Sequence, residues 1–221
     1  FGTNSSGKSS LLQFLLMLKQ TKNATDRGVV LDFGGQEQLV NLGSYRDVVH
    51  GHNTEASLHW KLDWTLKQKA SIADPMKKRT DVLATASSLS ICSVAHHLQP
   101  QGNMLVSDFL EYGFGGFKFS IAPKKSGSTE FQLNSDGPVE QEFRFVRNKQ
   151  RAWALPGPIK THLFPDQAKT YYQNADFLSL FEAEYEAMMD SIYYLGPLRE
   201  YPKREYPWSG ISPIDVGWRG E

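Results

Sequence analysis

Apolar and polar positions follow different periods in different parts of the chain, and each period predicts a different element. From Ser9 to Lys22, strong helix formers follow one another, and Lys19 and Lys22 lie near the end at which the helix dipole favours cations. Apolar side chains fall on nearly every face of this stretch, which is typical of a helix buried on most sides against a sheet. Residues 23–28 are predicted to end the helix.

The middle of the chain, from about Val29 to Val146, is rich in short β-like runs separated by turn residues. The clearest runs are residues 29–33, 56–66, 117–121 and 142–146. Three of them alternate apolar and polar residues with a period of two, as antiparallel strands with one solvated face do. The loops between them are rich in Gly, Ser, Lys and Pro. This part therefore predicts an antiparallel meander rather than a series of β–α–β crossovers.

The C-terminal part combines one helical pattern with a tail rich in proline and glycine. Apolar residues at helical spacing, with glutamates between them, predict an amphipathic helix over Asp176–Tyr194. The tail, Leu195–Glu221, is predicted to be mostly extended or looped. We interpret the chain as one α/β domain with three parts, namely residues 1–28, a β-rich subdomain over 29–150, and residues 151–221.

Composition narrows the class of protein without identifying it. Hydrophobic residues make up 40% of the 221 positions and charged residues 22%, which is ordinary globular usage. The 24 Lys plus Arg balance the 24 Asp plus Glu, so the whole domain lacks the basic surplus that attracts nucleic acid or anionic membranes. The single cysteine, Cys92, lies in an apolar run and favours a buried thiol in the reducing cytoplasm. No apolar stretch has the length of a membrane span, so we expect no membrane partner.

The motif that carries chemistry is the run Gly2-Thr3-Asn4-Ser5-Ser6-Gly7-Lys8-Ser9. A loop that turns its backbone N–H groups toward a polyanion needs glycine where side chains would block the approach, and Gly2 and Gly7 meet that need. Lys8 is the candidate catalytic residue, because its ammonium can reach the β and γ phosphates of a nucleotide. Ser9 is the candidate magnesium ligand at the first turn of the helix.

A simpler interpretation is a serine-rich turn in which Ser5 or Ser6 caps the helix and Lys8 is solvated. We favour the phosphate loop, because an apolar helix has no structural need of a lysine in its first turn. A phosphate loop joins a buried strand to a helix. Since only Phe1 precedes Gly2, we interpret the chain as a fragment whose first strand is missing.

Several stretches of the sequence resemble one family. The runs Asn4–Gln13, Leu42–His50 and Tyr194–Arg199, followed by Val216-Gly217 and Gly220-Glu221, are similar to bacterial SMC-like ATP-binding proteins. These are ABC-type ATPases akin to RecF and the OLD-family nucleases and are classed with AAA-type ATPases. The resemblance covers both ends and the first quarter of the chain, whereas the β-rich middle carries no matching motif.

The resemblance implies a P-loop NTPase fold, in which an ABC/SMC-like ATPase head joins an α/β nucleotide core to an antiparallel β subdomain. It implies ATP and Mg²⁺ as cofactors and a homodimer that sandwiches ATP between two heads. It also implies hydrolysis coupled to DNA handling in repair or phage defence, with DNA and a nuclease or toxin effector as candidate partners. The residues that match phosphate and magnesium contacts are Asn4, Ser5, Ser6, Gly7, Lys8, Ser9 and Ser10.

The chain also departs from the family pattern. No stretch matches the acidic motif with its catalytic glutamate or the serine-glycine motif that completes the partner's site, so we expect both to lie beyond Glu221. Related heads place a glutamine-containing loop near the position of Leu42–His50, but here the nearby glutamines are Gln36 and Gln38. The residue that would contact magnesium or the attacking water stays open, and the loop does not distinguish ATP from GTP.

Two other functions are compatible with the phosphate loop. One is a nucleotide-sensing module that regulates a partner nuclease or toxin with little turnover. The other is a P-loop kinase, which the predicted meander disfavours because such kinases follow the loop with strand–helix crossovers. An acidic strand end in the residues after Glu221 would separate hydrolysis from sensing.

Smaller clusters have a structural explanation beside a functional one. The most basic cluster, which could contact a phosphodiester backbone or form a solvated loop, comprises Lys67, Lys69, Lys77, Lys78 and Arg79. The tail interleaves Arg199 and other basic residues with aromatic ones, which suits either base stacking or a rigid wrap. His50, His52 and His59 lack the cysteine or carboxylate spacing of a metal site, and His96-His97 is interpreted as structural.

Overall fold

The computed structural model is a mixed α/β arrangement built around one antiparallel sheet. It describes residues 7–35, 38–75, 77, 81–98, 104–125, 127–139, 141–149 and 153–195. The helices are α1 (Lys8–Asn23), α2 (Tyr45–Val48), α3 (Gln167–Tyr171) and α4 (Leu178–Asp190), with a 3₁₀ turn at His50–His52. The strands are β1 (Leu58–Ala73), β2 (Val82–Leu98), β3 (Met104–Phe114), β4 (Phe117–Pro123) and β5 (Phe131–Asp136).

The five strands pair in their order along the chain. Each strand is antiparallel to the next, so the sheet order is β1-β2-β3-β4-β5 and the predicted meander is confirmed. The tightest hairpin joins β3 to β4, where Phe114 pairs with Phe117 across Gly115 and Gly116. The register of β2 on β3 shifts between Val94 and Ala95.

The core lies between one face of the sheet and α4. Phe119 on β4 is fully buried, and its ring centroid lies 5.6 Å from that of Phe181 on α4. Phe181 also stacks on Tyr112 of β3, again at 5.6 Å. The amphipathic helix predicted over residues 176–194 is therefore confirmed, with its regular part limited to Leu178–Asp190.

Helix α1 is buried over only part of its length. Met17 and Leu18 are fully buried, whereas Leu11 is 70% exposed and Leu12 is 56% exposed. The expectation of a helix buried on most sides is thus correct for the second half and wrong for the first. In the second half, the side chains of residues 19–22 also form hydrogen bonds with other segments of the chain.

The strand predicted over residues 29–33 does not form. Side chains of α1 occupy its backbone groups instead, because Gln20 Nε2 donates to Asp32 O at 2.9 Å and Asp32 N donates to Thr21 Oγ1 at 2.8 Å. Gln20 Oε1 also accepts a hydrogen bond from Val40 N at 3.3 Å. The segment that follows α1 is therefore fixed to the helix rather than to the sheet.

The strand predicted over residues 142–146 is also absent, for a similar reason. The buried amide of Asn174 donates to Arg144 O at 2.9 Å and accepts from Val146 N at 2.9 Å. The backbone groups of Arg144 and Val146 thus bond to one side chain, whereas in a sheet they would bond to a neighbouring strand. The alternating apolar side chains still face inward, since Phe143 and Phe145 both make edge contacts with Phe119.

Within the described ranges, the helices are all too short or too polar to cross a bilayer.

Candidate functional site: the loop and first turn of helix α1

Gly7 sets the geometry at the start of α1. Its backbone has φ 79° and ψ 6°, in the left-handed region that favours glycine, and its carbonyl accepts a hydrogen bond from Leu11 N at 3.2 Å. A Cβ at Gly7 would meet no atom within 4 Å. The glycine is therefore required here by backbone conformation and not by crowding.

The first turn of α1 presents polar side chains to solvent. Lys8, Ser9 and Ser10 are all exposed, and the turn contains no acidic residue. The first N–H groups of a helix have no acceptor within the helix and carry the positive end of its dipole. This helix end therefore has the polarity that an anion requires.

The structure brings Gly7, Lys8, Ser9 and Ser10 together in one turn. Asn4, Ser5 and Ser6, the other predicted contact residues, lie outside the described residues, and so does Gly2. Gln36 also lies outside them, while Gln38 Nε2 is 3.4 Å from Asp32 Oδ2.

Residues 42–48 lie beside the first turns of α1 and line a cavity together with them. Ser44 caps α2 through Asp47, because Ser44 N and Ser44 Oγ both donate to Asp47 Oδ2, at 2.8 and 2.7 Å. These hydrogen bonds, the side-chain one above all, lower the pKa of the Asp47 carboxyl. Between this segment and α1 lies a cavity of about 180 Å³. Its lining residues are Ser10, Gln13, Phe14, Met17, Leu42, Asp47 and Val48.

The opposite end of α1 is held by a buried lysine that the sequence analysis did not identify. Lys160 Nζ donates to three carbonyl oxygens at the end of the helix, those of Thr21 at 2.9 Å, Lys22 at 3.0 Å and Ala24 at 2.8 Å. Desolvation lowers the pKa of Lys160. A cation at a helix C-terminus interacts favourably with the negative end of the helix dipole, so the Lys160 ammonium stabilises this end of α1.

Helix α4 holds α1 from the side. Lys22 forms an ion pair with Asp190 at 2.7 Å, and Lys19 Nζ donates to Ile192 O and lies 5.5 Å from the ring centroid of Tyr193. The C-terminal half of α1 is therefore fixed to the rest of the molecule. The first turn, with Gly7 before it, is exposed at the other end of the helix.

A buried aromatic and titratable cluster lies beside the Lys160 contact. The His162 ring is 1% exposed and stacks on Tyr185 at 4.6 Å, and its Nε2 is 3.7 Å from Glu186 Oε1. Desolvation lowers the pKa of His162, and the nearby Glu186 opposes that shift. Tyr112 Oη donates to His162 O at 2.8 Å. No local motif marks this cluster, because its members are far apart in the sequence.

The basic cluster, the tail and Cys92 were also singled out in the sequence, and their described residues do not form a cluster like the one at His162. Lys67 and Lys69 are exposed on β1, Lys77 pairs with Asp74 at 3.3 Å, and the other two members of the basic cluster lie outside the described residues. The basic residues of the tail also lie outside them. Cys92 is only partly buried, contrary to expectation, with its Sγ 3.3 Å from His59 Nε2, and desolvation raises the pKa of the thiol.

A larger cavity of about 400 Å³ lies where β2 to β5 begin or end on one side of the sheet, near Gly28 and Pro158. His96 Nδ1 lies 3.0 Å from Asp108 Oδ2 at its rim, and the remaining lining is mostly apolar. Gly7 and the first turn of α1, the described part of the candidate site, do not line this cavity. Within the described part of the chain, no cluster of three or more His, Cys, Asp or Glu side chains could hold a metal ion.

No family model matches the chain, and comparison with curated proteins and with solved structures gave no significant similarity.

Proposed function

We propose that this protein binds ATP with Mg²⁺ through the turn at the start of α1 and belongs to the ABC-type, SMC-like ATPase heads. The observation that carries the proposal is the left-handed Gly7 followed directly by exposed Lys8 and Ser9 at the start of a 16-residue helix. This arrangement puts N–H groups, an ammonium and a hydroxyl on one exposed turn. A nucleotide triphosphate bound to magnesium is the ligand with matching chemistry.

The residues of the first turn suit magnesium as well as phosphate. Mg²⁺ keeps several waters and is usually held by one or two protein oxygens together with phosphate oxygens, so it needs no protein cage. The exposed Ser9 hydroxyl can supply such a ligand. The lack of an acidic cluster among the described residues is therefore compatible with a site of this kind.

The assignment to an ABC-type head rests on the sequence resemblance. The antiparallel β subdomain that the resemblance implies agrees with the five-stranded meander. As part of the proposal, two heads pair on ATP, and the cycle of binding and hydrolysis drives DNA handling, in repair or phage defence, with a nuclease or toxin as effector.

Isothermal titration calorimetry with ATP and Mg²⁺ on the full-length protein tests the proposal. We expect Lys8→Ala to abolish measurable binding, because it removes the ammonium that contacts the β and γ phosphates. The matched control is Lys67→Ala, an exposed lysine on β1 that should leave affinity unchanged. Retained ATP affinity in Lys8→Ala would refute the phosphate loop.

A titration against salt tests the DNA part of the proposal separately. Binding that neutralises phosphates releases counterions, so the affinity must fall steeply as salt rises. Filter binding with the ATP-loaded full-length protein should show this dependence. An affinity that is insensitive to salt would exclude a DNA interface of phosphate contacts.

A further inference from the structure

The cavity between α1 and residues 42–48 begins at the first turn of α1. Ser10 both belongs to the predicted phosphate-contacting run and lines the cavity. Gln13, Phe14 and Met17 continue the same face of α1 away from the loop, and Asp47 closes the other side. A nucleotide held by its phosphates at the first turn can therefore extend into this space.

We propose that this cavity receives the ribose of the bound nucleotide and that the Asp47 carboxylate accepts hydrogen bonds from the ribose hydroxyl groups. This inference rests on the proposed function. The cavity volume, about 180 Å³, is smaller than the roughly 300–1,000 Å³ of pockets that enclose a whole drug-sized ligand. The space suits a sugar ring, with the base beyond its rim.

The charge of Asp47 defines which part of the nucleotide it can contact. The Asp47 side chain is exposed and, like any such carboxyl, ionised at neutral pH, so it accepts hydrogen bonds and does not donate them. It would repel phosphate oxygens, whereas the two hydroxyls of a ribose are donors. Acidic side chains hold ribose hydroxyls in the same way in dinucleotide-binding folds.

The local backbone fixes the orientation of this carboxylate. Ser44 holds Oδ2 from two donors, and Gly43 makes room for the contact. Gly43 has φ 77°, and a Cβ there would lie 2.6 Å from Asp47 Oδ2. The glycine and the capping box therefore position one oxygen firmly before any ligand arrives.

Calorimetry with three ligands and Mg²⁺ tests the proposal on the full-length protein. The ligands are ATP, 2′-deoxy-ATP and inorganic tripolyphosphate. For the unmodified protein we expect ATP to bind most tightly. Asp47→Asn should weaken ATP by about tenfold, a typical loss for one charge-assisted hydrogen bond, and leave tripolyphosphate unchanged. It should also reduce the preference for ATP over 2′-deoxy-ATP.

A second variant tests the same site without touching the capping box. Gln13 is exposed on α1, so Gln13→Trp should fold normally while filling the cavity. It should weaken ATP and spare tripolyphosphate. Asp63→Asn, an exposed carboxylate on β1, is the matched control and should change neither affinity.

Each outcome separates the two proposals. If Gln13→Trp and Asp47→Asn leave ATP binding unchanged, or weaken ATP and tripolyphosphate equally, the ribose site is refuted although the phosphate loop stands. If the unmodified protein binds neither ligand, or if Lys8→Ala binds both normally, the proposed function itself fails.

Discussion

Lys160 adopts an unfavourable backbone conformation that its side-chain contacts explain. Its φ is 52°, in the left-handed region where a residue with a Cβ is destabilised by about 1–2 kcal/mol. The side chain is 5% exposed, and its ammonium meets three carbonyls at the end of α1. An ammonium has three donors, so the three contacts satisfy it completely and offset the strain.

Replacing this lysine should destabilise the protein strongly. Lys160→Met keeps much of the side-chain volume but removes the buried ammonium that three carbonyls at the end of α1 share, so we expect the free energy of unfolding to fall by about 2–3 kcal/mol. Urea denaturation measures this change. Lys124→Met, which breaks the surface pair with Glu130, is the control and should cost less than about 1 kcal/mol. Equal losses in the two variants would contradict the role of Lys160.

His162 should make stability depend on pH. Desolvation lowers its pKa in the folded state, whereas the unfolded chain titrates near pH 6.5. Above that pH the ring is neutral in both the folded and the unfolded state, so His162 does not reduce the free energy of unfolding. As the pH falls below it, the unfolded state binds a proton that the folded state resists, so stability is lost.

Denaturation at pH 7.5 and pH 5.5 measures this effect. One such histidine can account for a loss of up to about 1.4 kcal/mol at the lower pH. His162→Phe keeps the stack on Tyr185 and should flatten the pH dependence. His59→Phe, at an exposed position on β1, should retain it. An unchanged slope in His162→Phe would show that other groups cause the dependence.

At the scale of elements, aromatic packing joins the sheet to α4. Phe119 has ring contacts with Phe143, Phe177 and Phe181, so two segments, residues 141–149 and α4 with its N-cap, converge on β4. Phe119→Ala should lower the free energy of unfolding by about 3–5 kcal/mol through lost burial and a cavity. Trp153→Ala removes a side chain that is 71% exposed and should cost less than about 0.5 kcal/mol. Urea melts that show similar losses would contradict this account of the core.

The elements that the sequence predicted correctly are those whose pattern is local. Residues 9–22 and 176–194 carry helical signals within one stretch, and the alternation in 56–66 and 117–121 lies within β1 and β4. The wrong strand over 142–146 carries the same kind of alternation, whereas the one over 29–33 is a short, mostly apolar run. In both segments, central backbone groups bond to side chains, those of Gln20 and Thr21 in the first and that of Asn174 in the second. No local pattern distinguishes a backbone that bonds to side chains from one that bonds to a neighbouring strand.

At the scale of the whole molecule, the candidate site combines residues that are neighbours in the sequence with residues that meet only in the folded chain. Lys8 and Ser9 could be proposed from the sequence, because phosphate chemistry requires such residues at this spacing within one turn. Lys160 meets Thr21 across 139 positions of sequence, and Asp47 faces Ser10 from another segment. Contacts of that kind depend on the packing of the folded chain, which a single sequence does not specify.

The resemblance to ABC-type heads predicts a change in oligomeric state when the nucleotide binds. Light scattering coupled to size exclusion should give the molar mass of a monomer for the nucleotide-free full-length protein and of a dimer with ATP and Mg²⁺. Because the nucleotide would lie between two copies, the dimer fraction should rise with both ATP and protein concentration. Lys8→Ala should stay monomeric, while Lys67→Ala should dimerise normally. A dimer that forms equally without nucleotide, or in Lys8→Ala, would mean that pairing does not depend on the loop. The phosphate site would then have to act within a single copy, as the sensing module would.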